Sequence, residues 1–419
     1  MVALSHPTGN VNVRQAALAL AEANLLGEFW TCLNWNPDSV LARLLPAAVR
    51  GALGRRSFPP PVNARARADP WIEIGRLSSA RLGLRALSRH ERGLFSVDAV
   101  YRHLDRRVAR RLRNGSQREL RAIYAYEDGA AESFKAARER GLQCIYDLPI
   151  GYWRAAQRIY REEAESSPTW AATMEGVLDS EDKLARKEAE VAAADLILVA
   201  SRFTADTLRD SPARATRIEV VPYGAPEVIK SSGDSSPAKP GVLRAIFVGA
   251  LTQRKGLSYA VEAVRRLGSS VQLTLIGARP TVACPALDDA LRRHRWFPYL
   301  PSSEVLAEMQ RHDVLLFPSL CDGFGLVIPE ALACGVPVIS TANTGAPDVL
   351  TEGVDGFVVP IRSSDAIVEK LELLFASPER LAAMKEAART KAQSLRWEDY
   401  RSTIARMVQS QITGAAAAR

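Results

Sequence analysis

SLCDGFGLVIPEALACGVP, running from Ser319 to Pro337, is the stretch from which the fold is read. It follows the apolar run Asp313-Val-Leu-Leu-Phe-Pro318, which reads as a buried strand stopped by a proline. Gly323 and Gly325 flank Phe324 in a loop, and Pro329 then opens a short helix through Ala333 that Gly335 and Pro337 end. A strand, a glycine loop and a helix in that order aim free backbone N–H groups and a positive helix end at an anion. Two carboxylates frame the loop, Asp322 at its entrance and Glu330 near the start of the helix. A carboxylate beside an anion site suits sugar or ribose hydroxyls, which donate hydrogen bonds to it, whereas it repels phosphate. The same joint also serves as plain scaffolding in doubly wound sheets, and its spacing is not GxGxxG, so the loop alone leaves both readings open.

The pattern recurs on both sides of this stretch. Leu243–Val248 reads as a strand, followed by Gly249, the triplet Arg254-Lys255-Gly256 and a helix through Leu267. Further strands are predicted at Val271–Ile276, Val336–Ser340 and Gly356–Pro360. In the first half, Val2–Ser5 leads into a turn with Gly9 and Asn10, a helix over Asn12–Leu26 and a strand at Phe29–Leu33. Ala122–Tyr126, Cys144–Leu148, Asp195–Ala200 and Ile218–Val221 continue the strands, with Asp147 at the carboxyl end of one. Such alternation predicts parallel sheets covered by helices. A length of 419 residues suits two domains, and KSSGDSSPAKPG, Lys230 to Gly241, is the one plain linker. The expected division is 1–230, a linker at 231–241 and 242–394. The last helix, Trp397 to Ile412 within 395–419, either crosses back onto the first domain or lies as a simple surface helix.

Composition narrows the class. Hydrophobic residues make up 47% of the chain, without a long uncharged apolar run that would span a membrane. The start MVALSHPTGN lacks the basic and apolar regions of a signal peptide. Cys32, Cys144, Cys284, Cys321 and Cys334 show no CxxC spacing, which favours reduced thiols and a cytoplasmic setting; Cys321 reads as packing. Between Leu41 and Ala122 stand nineteen arginines, no lysine and six acids, a net +13 that leaves −5 for the rest of a chain totalling +8. Within it Leu77, Leu82, Leu84, Leu87 and Leu94 alternate with Arg76, Arg81, Arg85, Arg89 and Arg92. Helices with one apolar and one cationic side lie on the anionic inner face of a plasma membrane, or else are ordinary surface helices. Nucleic acid is disfavoured, because interleaved aromatics are few and no recognised motif occurs.

Arg254-Lys255, taken alone a solvated turn, stands at a strand's carboxyl end, where cations, helix ends and glycine amides make a diphosphate cradle. Together with Phe247-Val-Gly249, Asp322-Gly-Phe-Gly-Leu326, Glu330-Ala-Leu-Ala333, Gly335-Val-Pro-Val338, Gly345-Ala-Pro-Asp348, Asp195-Leu-Ile-Leu-Val-Ala-Ser201 and Val221-Pro-Tyr-Gly224, the chain resembles a family 4 retaining glycosyltransferase. The likeness is strong over 188–356 and looser before. It implies an α/β GT-B fold, two Rossmann-like doubly wound parallel-sheet domains facing a cleft. By the same likeness Glu330 binds the ribose hydroxyls of a nucleotide-diphosphate sugar, UDP- or GDP-linked, and Lys255 with Arg254 neutralises the diphosphate. Asp322 bonds hydroxyls of the transferred sugar, and the amides of Gly323, Phe324, Gly325 and Leu326 approach sugar and phosphate. Gly249 closes the first strand of the donor domain, and Gly9 with Asn10 lies against the diphosphate. Four positions depart from the pattern: Ala250 stands where relatives carry Arg, Asp322 and Asp348 replace Glu, and Cys144–Tyr152 holds no His, leaving Asp147 or His6 in its place.

The implied reaction is retaining transfer to a lipid-linked, polysaccharide or other glycan acceptor at the cytoplasmic side. No DxD triplet occurs, so no metal or other cofactor is expected beyond the donor itself. A phosphorylase or sugar-nucleotide epimerase on the same fold, or a non-catalytic protein holding an anionic polymer, are the alternatives.

Overall fold

The computed structural model describes residues 1–35, 54, 56–115, 119–174, 179–213, 216–229 and 241–417. The expected linker at 231–241 falls almost wholly outside the described residues, as do 41–53 of the arginine-rich stretch.

The first half forms a seven-stranded sheet from β1 (Val2–Ser5), β2 (Leu26–Thr31), β3 (Ala66–Ala68), β4 (Ala122–Tyr126), β5 (Gln143–Leu148), β6 (Leu196–Val199) and β7 (Arg217–Val220), in the order β3-β2-β1-β4-β5-β6-β7. The second half forms a six-stranded sheet from β8 (Leu243–Val248), β9 (Val271–Ile276), β10 (Arg295–Phe297), β11 (Val314–Phe317), β12 (Val338–Thr341) and β13 (Gly356–Val359), in the order β10-β9-β8-β11-β12-β13. Every pairing within the two sheets is parallel. Both orders reverse once, between β1 and β4 and between β8 and β11, and ligands of such sheets collect at the carboxyl ends beside the reversal. β4, β5, β11 and β12 are buried almost throughout, as strands covered on both faces must be.

Some boundaries differ from the sequence reading. The first helix covers Val11–Glu22 and stops before Asn24, whose φ of 57° breaks it, so β2 begins at Leu26 and not at Phe29. The helix after β11 begins at Val327, two residues before Pro329. Proline sits within the first turn, where its missing N–H has no intrahelical acceptor to lose.

The last helix, Trp397–Ala417, lies on the first sheet's side of the molecule. Tyr400, Ile404 and Val408 join the core built around Val13, Ala16 and Leu20, while Arg401 reaches Glu22 at 3.0 Å and Gln15 at 2.8 Å. The carboxyl edges of the two sheets face each other. A Cβ on Gly323, after β11, would stand 1.9 Å from the carbonyl of Pro149, after β5. Ser201 and Thr204, after β6, donate to the Gly323 carbonyl at 2.6 and 3.1 Å. A second tie uses the fully buried Glu163 of the helix Trp153–Ser166, which accepts from Gln253 (2.6 Å), Tyr259 (2.8 Å) and Arg362 (2.8 Å) of the second half.

Candidate active site

The cationic loop is shaped by glycine. After β8, Gly249 turns with φ 148° and its N–H bonds the carbonyl of Ile276 at 2.9 Å. The turn Gln253–Lys255 ends at Gly256, where φ is 69° and an added Cβ would stand 1.9 Å from the carbonyl of Pro318. Only glycine meets both demands, and the close approach lays this loop on the end of β11. The Arg254 carbonyl then accepts from the Leu320 N–H at 2.9 Å and the Ser319 hydroxyl at 3.1 Å. As a result Lys255 forms an ion pair with Asp322 and lies 5.0 Å from the Phe317 ring centre. Arg254 stands 3.8 Å from the same carboxylate and donates to the Cys321 carbonyl at 3.3 Å. Burial alone would raise the Asp322 carboxyl, but the two cations hold it below the usual range, so it is ionised.

The glycine loop divides its groups between the cationic turn and the domain contact. Asp322 also accepts from the Phe324 N–H at 3.3 Å. The Gly323 carbonyl is taken by Ser201 and Thr204, and the Phe324 ring is buried, 5.1 Å from Tyr223 and edge-on to it. Gly325, at φ 83°, passes close over the Phe317 ring, and Leu326 stands half-buried at the head of the helix Val327–Ala333. Within that helix the Glu330 carboxyl has no hydrogen-bond or ion-pair partner among the described residues, and burial pushes it up to about 7. A half-buried carboxyl group with no donor facing it is free to accept from a bound hydroxyl.

From the first half come the turn after β1 and the end of β5. The Gly9 carbonyl accepts from Arg14 at 2.6 Å, and exposed Asn10 precedes the helix Val11–Glu22 with its side chain accepting from Thr8 at 3.3 Å. Asp147 is buried and accepts from the Tyr124 hydroxyl at 2.7 Å; burial pushes it up to about 7. His6 is buried against Tyr101 and Tyr126 and lowered to about 4 by burial, hence neutral. The structure thus brings Arg254, Lys255, Asp322 and the Phe324 amide into direct contact. Gly9, Asn10, Asp147 and Glu330 make no hydrogen bond or ion pair with that group among the described residues. Asp348, the other Asp-for-Glu departure, is tied across the interface to Arg202.

A cavity of about 310 Å³ lies between the halves, lined by Glu127, Trp153, Tyr160 and Lys187 on one side and Thr252 and Arg254 on the other. The Thr252 hydroxyl is buried without a partner among the described residues, and Lys187 pairs with Glu127 at 3.3 Å. Sequence reading passed over these residues, since no spacing connects positions 127, 153, 187 and 252; only the facing of two sheets does. Cys321 is buried at the same place, and burial pushes its thiol up to about 11, in keeping with a packing role. His90, Glu91 and Asp179 bring three ligand-type atoms within 4.8 Å of one another, but Lys183 (2.9 Å) and Lys187 (3.1 Å) already neutralise Asp179. A larger cavity, about 880 Å³, opens away from this site, near the amino ends of β8 and β9, where Arg244, Arg311 and Arg295 are balanced by Asp313 and Glu308.

Residues 232–391 match the family described as glycosyl transferases group 1. A D-inositol 3-phosphate glycosyltransferase of Pseudarthrobacter chlorophenolicus is 27% identical over 244 residues, 52% of this chain and 57% of that one. A GDP-mannose-dependent alpha-(1-6)-phosphatidylinositol monomannoside mannosyltransferase of Mycolicibacterium smegmatis is 32% identical over 158 residues, 34% of this chain and 41% of that one. The chain spans between 40% and 57% of the length of the first curated relatives it matches. The solved sucrose-phosphate synthase of Thermosynechococcus elongatus superposes with a TM-score of 0.66 at 17% identity, covering 100% of this chain and 99% of that one. Two facing parallel-sheet domains, a glycine loop framed by acids and a cationic turn beside it are therefore accompanied by matching relatives: the fold is GT-B, and residues 232–391 are similar to the glycosyl transferases group 1 family.

Proposed function

We propose that this chain moves a sugar from a UDP- or GDP-sugar to a hydroxyl of a glycan or lipid-linked acceptor, with retention at the anomeric carbon, on the cytoplasmic side. The observation that carries the reading is the double role of Arg254, which stands 3.8 Å from Asp322 and also lines the interdomain cavity. Donor and acceptor would therefore meet at one guanidinium.

Glu330 would accept the ribose hydroxyls, a match for a carboxyl group without a donor. Lys255 and Arg254 would face the diphosphate, and ionised Asp322 would accept hydroxyls of the sugar while holding Lys255 in place. In the transfer the bond from the anomeric carbon to the diphosphate oxygen breaks as negative charge gathers on the leaving group. Fixed cations at that point lower the barrier more than they stabilise the ground state. The acceptor oxygen bonds the same face of the carbon and gives its proton to a leaving phosphate oxygen, so neither a protein nucleophile nor a metal enters the scheme. A phosphorylase or epimerase would use the same donor pocket but would need no glycan acceptor.

Thermal unfolding in the presence of UDP, GDP, ADP and their sugars tests the donor, because a ligand held by the folded state alone raises the transition. One nucleotide is expected to stabilise the protein, and Lys255→Ala to abolish that response. Donor turnover that is unchanged in Lys255→Ala or in Glu330→Ala would sink the assignment. Turnover that proceeds without any acceptor, yielding an isomerised donor, would transfer it to an epimerase.

A further inference from the structure

The helix Trp71–Arg81 turns Ile72 towards the core of the first domain but leaves much of its apolar surface outside. Its inward face carries Glu73, 1% exposed and tied to Arg56 at 3.1 Å and Arg76 at 2.6 Å, together with buried Ser79. Its outward face carries Trp71, Ile74 and Ser78, and the row continues into Leu82. Trp71 is 74% exposed and Leu82 72%, and Leu94, on the returning segment, is 65% exposed. Large exposed apolar residues elsewhere on the described surface are scattered singly, whereas Trp71, Ile74, Leu82, Leu84, Leu94 and Val97 fall within one short region. Exposed apolar residues gathered in this way mark an interaction surface.

Charge identifies the partner. Arg81, Arg85, Arg89 and Arg92 are exposed and form no ion pair among the described residues, while Arg76, Arg102, Arg107 and Arg111 of the same region are paired. Unpaired guanidinium groups interleaved with exposed Trp and Leu fit a bilayer whose surface is anionic and whose interior is apolar. No helix among the described residues is long and apolar enough to cross a membrane, so attachment would be at the surface. The patch also adjoins the cleft: His90 lies 3.2 Å from Asp179, which lines the interdomain cavity, and Glu91 accepts from the Ser180 N–H at 2.9 Å.

We propose that the segment from Trp71 to Val97 is a docking surface for an anionic lipid bilayer. If the transfer reading holds, this surface sets the mouth of the cleft beside the membrane, within reach of an acceptor anchored there. Vesicle binding needs no donor, so its outcome stands apart from that reading. The purified chain should sediment with phosphatidylcholine vesicles containing phosphatidylglycerol, and added salt should weaken the binding. The combined change Arg81→Glu, Arg85→Glu, Arg89→Glu and Arg92→Glu should lower partitioning about a hundredfold or more. Trp71→Glu with Leu82→Glu should lower it too while leaving the circular dichroism unchanged, since both residues face outward. Equal binding to neutral and anionic vesicles, or binding that neither variant alters, overturns the proposal. So does self-association that is lost in Trp71→Glu without any vesicle binding, which would assign the surface to a second copy of the chain.

Discussion

Glu330 and Asp322 are both half-buried carboxyl groups, and they titrate in opposite directions because of what stands beside them. Asp322 faces Lys255 and Arg254 and is held low, whereas Glu330 faces no cation and burial raises it to about 7. Its folded value lies above its unfolded value, so the ionised form opposes folding: the stability associated with it is fully present below about pH 4 and lost as pH rises through 7. Glu330→Gln should therefore abolish donor binding yet stabilise the free protein at pH 8, by on the order of 1–3 kcal/mol. Denaturant unfolding at pH 8 and pH 4 checks the sign, because the gain must vanish at the lower pH. Both acids and the Arg254-Lys255 pair were legible in the sequence, since they stand at fixed offsets from glycines that end strands. The position of the Phe324 ring was not: its contact, Tyr223, is remote in sequence and arrives from the other domain.

The elements show why glycine is required at two loop positions. Gly256→Ala places a Cβ against the Pro318 carbonyl at a φ of 69°, so the loop must lift from the end of β11 and carry Arg254 and Lys255 with it. Turnover should fall by an order of magnitude or more at a cost of about 1–3 kcal/mol in stability; a variant with full turnover would show that the two cations need no fixed placement. Gly323→Ala instead pushes on Pro149, across the interface. It should widen the cleft, seen as a larger radius of gyration in solution scattering, while each domain keeps its secondary structure. Among the helices, the alternation of Leu and Arg after residue 76 suggested one apolar and one cationic side. Leu77 and Leu87 are half-buried and Arg76 is paired inward, whereas Leu82 and Leu84 stay outside beside unpaired arginines. Periodicity finds an amphipathic helix but does not tell which face the fold covers.

At the scale of the whole molecule, stability is divided among an apolar core within each half, a cluster that runs from Val13 and Tyr223 across to Phe324 and Ile328, and the polar ties between the halves. Glu163→Ala leaves Arg362, Tyr259 and Gln253 without their buried acceptor and should destabilise the protein by about 2–4 kcal/mol, loosening one domain from the other. A calorimetric scan that splits into two transitions would show this directly. Buried acids set the pH response. Asp147 and Glu330 are raised to about 7 and Glu190 to about 8, in each case chiefly by burial. Each favours the folded state less as pH rises through its folded value, so the denaturation midpoint should fall between pH 6.5 and pH 8.5. A midpoint that rises over this window would contradict those environments.

By itself the sequence determined the two parallel sheets, their glycine-ended strands and the glycine loops that carry Arg254, Lys255, Asp322 and Glu330. All of these rest on local period, on backbone conformations that favour glycine and on motifs confined to one loop. Tertiary structure alone decided how the halves meet. The cavity that joins Arg254 to Lys187, the latch of Ser201 and Thr204 on Gly323, and the outward turn of Trp71 each depend on residues far apart in the chain. No local pattern encodes which carboxyl edge faces which, because that orientation is fixed by surfaces formed only after each sheet has assembled.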